Sequence, residues 1–503
     1  MNGVTAVIGA DSGTWAEWAF PPPFLFAAGR WRDRIFALLA ASVFAALLLP
    51  LKPPAALAIL VLVLVLEAAD WAVSRRTVVL LFLASILLFS ANYRLRGPWP
   101  MDMTADRVAL LLVVGAWAMH KLDVRPTWPS ETRAFNTPLG ALFVVTLITL
   151  LVDGPRLASE ALVMTGVKRM LVLVLFILVY SVVIALVRTR REVVGVVRML
   201  VSIGALAALF GIFERVAGSN LLLRLQSMGP FVPYRSMDAI VRGGGARIYG
   251  TAAHPIEFGG VMALLLPLAI YVLFSVRGAR QIGLAGAATG LIGAAMLLTV
   301  SRSALIASVV AFCLLMLLSR RSWTIVLAAV GILLVVRLAF PGLLTTFRSM
   351  LDPKWIVQTE AVSYSGRMND WPMAWMYVRN NPLVGVGLGL FDPLRYFYVD
   401  NQFLSFLLEL GAFGLLVVLW FFGVVLRSLF RGARQKLGDD RVPLEAAVLA
   451  SVIVYAVLSA LFDTFAFTQI TNLLFVLVGL AAVLATPEGR AEEVGEWAPA
   501  STS

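Results

Sequence analysis

The chain has 503 residues, 60% of them hydrophobic and only 14% charged, with a mean hydropathy of +0.90. A soluble domain averages about 45–50% apolar and about 25% charged residues, so this composition excludes a soluble enzyme, a disordered chain and a nucleic-acid reader. The formal charge of +12 then reads as an orientation signal, plus sites for anionic lipid or phosphate.

A bilayer-crossing helix needs roughly 20 largely apolar residues. Runs of this kind lie near 35–50, 55–69, 77–92, 107–120, 138–152, 170–187, 193–217, 254–275, 281–300, 303–318, 323–340, 401–426, 443–462 and 467–485. They predict an all-α polytopic membrane protein of about fourteen transmembrane helices, read as one unit. The expected organisation has a cytoplasmic N-terminal arm (1–34), a first set of spans (35–217) and an outer loop (218–253). Central spans (254–340), a large periplasmic loop (341–400), C-terminal spans (401–485) and a cytoplasmic tail (486–503) follow. With both termini inside, inner segments hold 21 of the 41 basic residues. Nine of the outer ones sit in the two long loops, which therefore need a separate reason for their positive charge. Two histidines and one cysteine, Cys313, leave no disulfide framework and nearly exclude a His/Cys metal site. No metal or cofactor is expected.

Loop 341–400 is the most informative stretch. It exceeds what a connector needs and is too rich in aromatics to be disordered. Trp371 and Trp375 stand four apart, on one face of a short helix, suited either to anchoring at a membrane interface or to stacking on sugar rings. Arg302 falls at a tight outer turn, where a guanidinium fork can grip phosphate bidentately or snorkel to lipid headgroups. Arg242 and Arg247 flank three glycines, whose backbone N–H groups can approach an anion closely. Arg367 precedes Asp370 and can grip phosphate or form a local ion pair. Gly385, Gly387 and Gly389 lack the strand-turn-helix context of a dinucleotide loop. No outer loop clusters two carboxylates for a divalent metal.

Several motifs together carry a resemblance. They are Arg247-Ile-Tyr-Gly250 running into His254-Pro255 and Phe258, the turn Thr299-Val-Ser301-Arg302-Ser303, and Gly366-Arg367 with Trp371. Asn381-Pro382, Gly385-Val-Gly387, Asp400-Asn401 and Glu409-Leu-Gly411 complete the set. In order and spacing, over about 240–430, they resemble the O-antigen ligase and O-antigen polymerase superfamily of bacterial inner-membrane glycosyltransferases. The resemblance implies transfer of a glycan from an undecaprenyl-diphosphate carrier to an acceptor at the periplasmic face, without a metal. It implies arginines that hold the diphosphate, by position Arg247, Arg302 and Arg367. Implied partners are the lipid-linked oligosaccharide donor, a glycan acceptor, the bilayer and other polysaccharide-assembly membrane proteins, with no nucleic acid.

Ligases of the family typically carry His-Asn where this chain has Asp400-Asn401, and that departure moves the expectation toward a polysaccharide polymerase. The alternatives are an O-antigen ligase acting on lipid A-core or another acceptor, a lipid-linked-glycan flippase or transporter, and a structural partner in an envelope-assembly complex. Expulsion of a diphosphate develops negative charge that fixed arginines stabilise, and attack from the opposite face inverts the anomeric centre. Asp400 either takes the acceptor proton, or caps the helix that follows it or orients a ligand. His254 is a second candidate base, and Asn401 is expected to orient a sugar or the loop.

Overall fold

Helices start where a side chain satisfies the free N–H groups of a first turn. The computed structural model describes residues 75–97, 101–121, 129–220, 224, 231–233, 241–242, 245–319, 326, 329–331, 333–334, 337, 361–391, 395–436 and 442–490. The first helices are α1 (Arg75–Leu88), α2 (Ala105–Lys121), α3 (Arg133–Val152), the short α4 (Gly154–Ser159), α5 (Val163–Leu186) and α6 (Arg190–Ala217). Next come α7 (Pro255–Ser275), α8 (Ala279–Leu298), α9 (Arg302–Leu317) and α10 (Ala361–Asn380). The C-terminal set is α11 (Gln402–Gln435), α12 (Leu444–Leu461), α13 (Thr468–Ala485) and the single turn α14 (Pro487–Arg490). Thr189 and Glu192 open α6 with a capping box, and Gly218 closes it with φ 66°. Strand β1 (Tyr93–Leu95) pairs antiparallel with β2 (Phe231–Pro233), and β3 (Val241–Arg242) with β4 (Gly245–Ala246).

Eight of these helices are long and apolar enough to cross a membrane, and α1 and α9 are shorter apolar helices. Eleven of the fourteen predicted runs coincide with α1–α3, α5–α9 and α11–α13. The runs near 35–50 and 55–69 lie outside the described residues, as does most of 323–340 and of loop 341–360. The N-terminal arm and the tail beyond Arg490 lie outside them too.

Packing explains why the chain is apolar almost throughout. Nearly every side chain of α13 is buried, and it packs against α5, α6, α7, α11 and α12 as the central helix. Around this centre the outer helices turn large apolar side chains outward, among them Ile148 and Leu151 on α3, Val309 and Leu317 on α9, and Leu416 and Trp420 on α11. An exposed apolar belt of this extent suits lipid rather than water. The chain is a multi-pass helical membrane protein.

The helices present two polar faces. On the upper face, Gln469 at the start of α13 donates to the carbonyls of Ile86 and Leu87 at the end of α1. Glu214 near the end of α6 accepts from the backbone of Tyr249 and Gly250 just before α7. On the lower face, Arg190 at the start of α6 forks onto Glu445 at the start of α12, at 2.5 and 3.1 Å, and Lys436 approaches the same carboxylate at 3.5 Å.

Candidate active site

The upper face gathers most of the residues singled out from the sequence. Arg247 is buried and donates from Nε to the carbonyl of Thr299 at 2.7 Å. That bond ties the segment before α7 to the turn between α8 and α9. In this turn Val300 is held at φ 52°, a conformation that a β-branched residue adopts only under constraint. Ser301 then caps α9 through the backbone of Ala304, and Arg302 stands half-buried in the first turn. Arg247 and the Ser-Arg turn are thus brought together, and Arg302 sits where a helix N-terminus favours an anion.

His254 is the N-cap of α7. Its Nδ1 accepts from the backbone N–H of Ile256 at 3.1 Å, which leaves the proton on Nε2. Burial and the nearby Arg247 cation push its pKa down to about 4, so the ring is neutral near pH 7. The lone pair that a base would use is already engaged. His254, expected as a second candidate base, is therefore a helix cap and an Nε2–H donor.

A correction of the same kind applies at the start of α11. Asn401, not Asp400, caps this helix: its Oδ1 accepts from Leu404 N at 3.0 Å, while its Nδ2 donates to the Ala460 carbonyl at the end of α12. Asn401 spends its amide on the loop. Asp400, relieved of the capping duty that was its alternative reading, stands half-buried beside the turn between α12 and α13. That turn holds Asp463, whose pKa burial pushes up to about 6, with the like charge of Asp400 adding to the rise and Arg169 opposing it. Phe467, on the same turn, packs on the His254 ring with centroids 5.9 Å apart. A continuous path thus runs from Arg247 through His254 and Phe467 to Asp463 and Asp400. Among the described residues, no three His, Cys, Asp or Glu side chains converge as metal ligands.

The glycine triplet has a mechanical role. Gly385, Gly387 and Gly389 all have positive φ, and their loop lies backbone to backbone against a break in α11 at Gly411 (φ 68°, ψ −169°). Val386 N donates to Leu408 O and Gly387 N to Glu409 O. The Glu409 carboxylate accepts from the backbone of Gly389 and Phe391. A Cβ on Gly385 would stand 2.5 Å from the Glu409 carbonyl carbon, so only glycine fits. From the other side, Arg156 of α4 donates to Val386 O at 2.6 Å, and the Arg169 side chain lies across Gly389.

The remaining predicted residues sit nearby or beyond description. Helix α10 buries Ala374 and Val378 against Phe391, Tyr396 and Phe397, and turns Trp371 and Trp375 outward, each half-exposed or more. Arg379 lies over the Trp375 ring at 5.9 Å. Arg367 stands one turn before Trp371 on α10, and its side chain is outside the described residues. Arg242 stands opposite Gly245 in the β3–β4 ladder, with Gly243 and Gly244 and its own side chain also outside them.

Sequence reasoning missed Asp463, Arg169 and Glu257. Asp463 was hidden because a lone carboxylate between two apolar runs looks like a loop residue, and Arg169 because it sits at the edge of a span. Glu257 is wholly buried on α7, where it accepts from the backbone of Ala253 and Gln469 and so locks the loop that carries His254. A carboxylate inside an apolar run was the available signal. Chemically, the face offers arginines at one side, a paired set of carboxylates at the other, and exposed aromatic rings above.

No curated protein matches the chain in sequence. A family model described as O-Antigen ligase matches residues 287–419. That stretch includes the Ser-Arg turn, α10, the glycine loop and Asp400 through the break in α11, so this part of the chain is similar to the O-antigen ligase family.

Proposed function

We propose that the protein is a polysaccharide polymerase of the bacterial inner membrane. It transfers a glycan from an undecaprenyl-diphosphate carrier to an acceptor sugar hydroxyl at the periplasmic face, with inversion and without a metal. The glycosyltransferase assignment rests on the family match. The finer reading rests on one observation: Arg247 is bonded to the constrained turn that leads into Arg302, on the face that also carries Asp400 beside Asp463. In this reading the upper face is periplasmic and the chain has fourteen spans with both ends inside.

Arg302, with Arg247 and Arg367, holds the diphosphate and stabilises the charge that develops as the anomeric C–O bond breaks. Asp400 takes the proton from the attacking hydroxyl. Asp463, buried behind it, carries a proton through part of the pH range and so limits the charge stored in the pair. Trp371 and Trp375 offer flat faces to the growing glycan, and the Arg242 hairpin lies at the rim.

Ligase activity is the second reading, favoured by the description of the matching family. Purified protein, lipid-diphosphate-linked repeat units and a lipid A-core acceptor in one detergent assay separate the two. A ladder of lengthened lipid-linked glycan supports the polymerase. Glycan appearing on lipid A-core with no ladder establishes the ligase, and neither product would remove both.

A further inference from the structure

The lower face carries a cavity of about 1030 Å³ between the last turns of α11, the start of α12 and the turn α14. Arg427, Arg431 and Arg434 recur at i, i+4 and i+7 along one side of α11 and line it, together with Lys436 and Arg490. The acids in its wall are Glu131 and Glu445, and Glu445 is already engaged by Arg190 and Lys436. Arg427, Arg431, Arg434 and Arg490 form no ion pair with an acid among the described residues. Among the described residues, the cavity therefore concentrates guanidinium groups from two helices in one recess without acids to match them. Its wall also carries apolar side chains: Phe430 is exposed and Val424 half-buried, with Phe135 and Leu484 buried behind them.

We infer that this recess is a binding site for a two-phosphate glycerophospholipid headgroup of the diphosphatidylglycerol type. Guanidinium forks match phosphate oxygens bidentately, and four of them on two elements suit two phosphates better than one. The apolar wall beside the cations suits the acyl chains of the same molecule, which a free anion lacks. Orientation in the membrane requires positive charge on this side but not a recess that gathers it. Occupancy would bridge α11 and α14, at the opposite end of α11 from Asp400 and Asn401.

The test uses full-length protein, delipidated in neutral detergent, and reads thermal unfolding and native mass spectrometry. The probes are diphosphatidylglycerol, phosphatidylglycerol, phosphatidylethanolamine and inorganic pyrophosphate. Diphosphatidylglycerol should raise the unfolding midpoint most and stay bound as one molecule, and the gain should shrink as salt rises. Arg431→Gln with Arg434→Gln should weaken its binding by ten-fold or more, while the affinity for phosphatidylethanolamine stays the same. Equal stabilisation by pyrophosphate would overturn the lipid assignment in favour of a soluble anion. Equal stabilisation by phosphatidylethanolamine, or a double variant that binds like the wild type, would overturn the site. The comparison of lipids on unaltered protein decides the matter even if the double variant fails to fold, and none of the readouts depends on glycosyl transfer.

Discussion

Asp400 and Asn401 are neighbours with separable duties, and their substitutions should part accordingly. Asn401→Ala removes the cap of α11 and the bond to Ala460, so it should cost about 1–2 kcal/mol in thermal unfolding. Asp400→Asn leaves that cap in place. It should unfold like the wild type yet lose roughly 10²–10⁴-fold in turnover, the usual range for a missing general base. Near-normal turnover at normal stability would strip Asp400 of the role. Arg302→Lys, measured beside Arg302→Ala, should recover little activity, because an ammonium cannot reproduce the planar fork.

Asp463 makes a pH prediction. Its carboxyl titrates near 6 in the fold and near 3.8 when unfolded, so the folded protein binds the extra proton between those values. Stability from this group is therefore fully present below about pH 4, falls as pH rises toward 6, and is level above. Asp463→Asn should flatten that part of the stability–pH curve. A curve identical to that of the wild type would mean that Asp463 is not buried as described.

At the scale of elements, the glycine loop and the broken helix form one joint. Gly411 adopts a φ/ψ pair that is essentially reserved for glycine, and its Cβ would run into the Leu383 carbonyl. Gly411→Ala should cost about 1–3 kcal/mol for the backbone conformation alone, before any clash is counted. The effect should spread to α10, because the loop also seats Phe391 and Tyr396 against Tyr377. Limited proteolysis should then cut near 385–398 in the variant and not in the parent. If Gly411→Ala resists protease like the parent, the loop does not depend on the break. The outward pair Trp371 and Trp375 belongs to this element too, and replacing both by Ala should shorten the glycan made without changing the unfolding midpoint.

For the whole molecule, the decisive feature is that the constrained turn, the carboxylates and the glycine loop share one face, while Arg190, Glu445 and Lys436 share the other. A cysteine at Tyr398, which is 73% exposed on the upper face, and one at Arg280, exposed on the lower, should label oppositely with an impermeant maleimide on intact cells. Cys313 faces outward from α9 and must first become serine. Labelling of both positions from outside would refute the two-sided topology.

Hydropathy alone located the apolar helices among the described residues, because a lipid-facing or lipid-buried segment must be continuous in sequence to be apolar along its length. The Ser-Arg turn and the aromatic helix were legible for the same local reason, each being a short run with its own chemistry. The cap of α11 falls one residue later than its alternative reading, since only the backbone path decides which side chain meets the Leu404 N–H. His254 looked like a base until its Nδ1 was found on Ile256. Asp463 and Arg169 carry no local signature, and Glu257 only that of a carboxylate inside an apolar run. Their environment is made by helices far apart in the chain, and burial beside a distant charge is a property that only the tertiary structure creates.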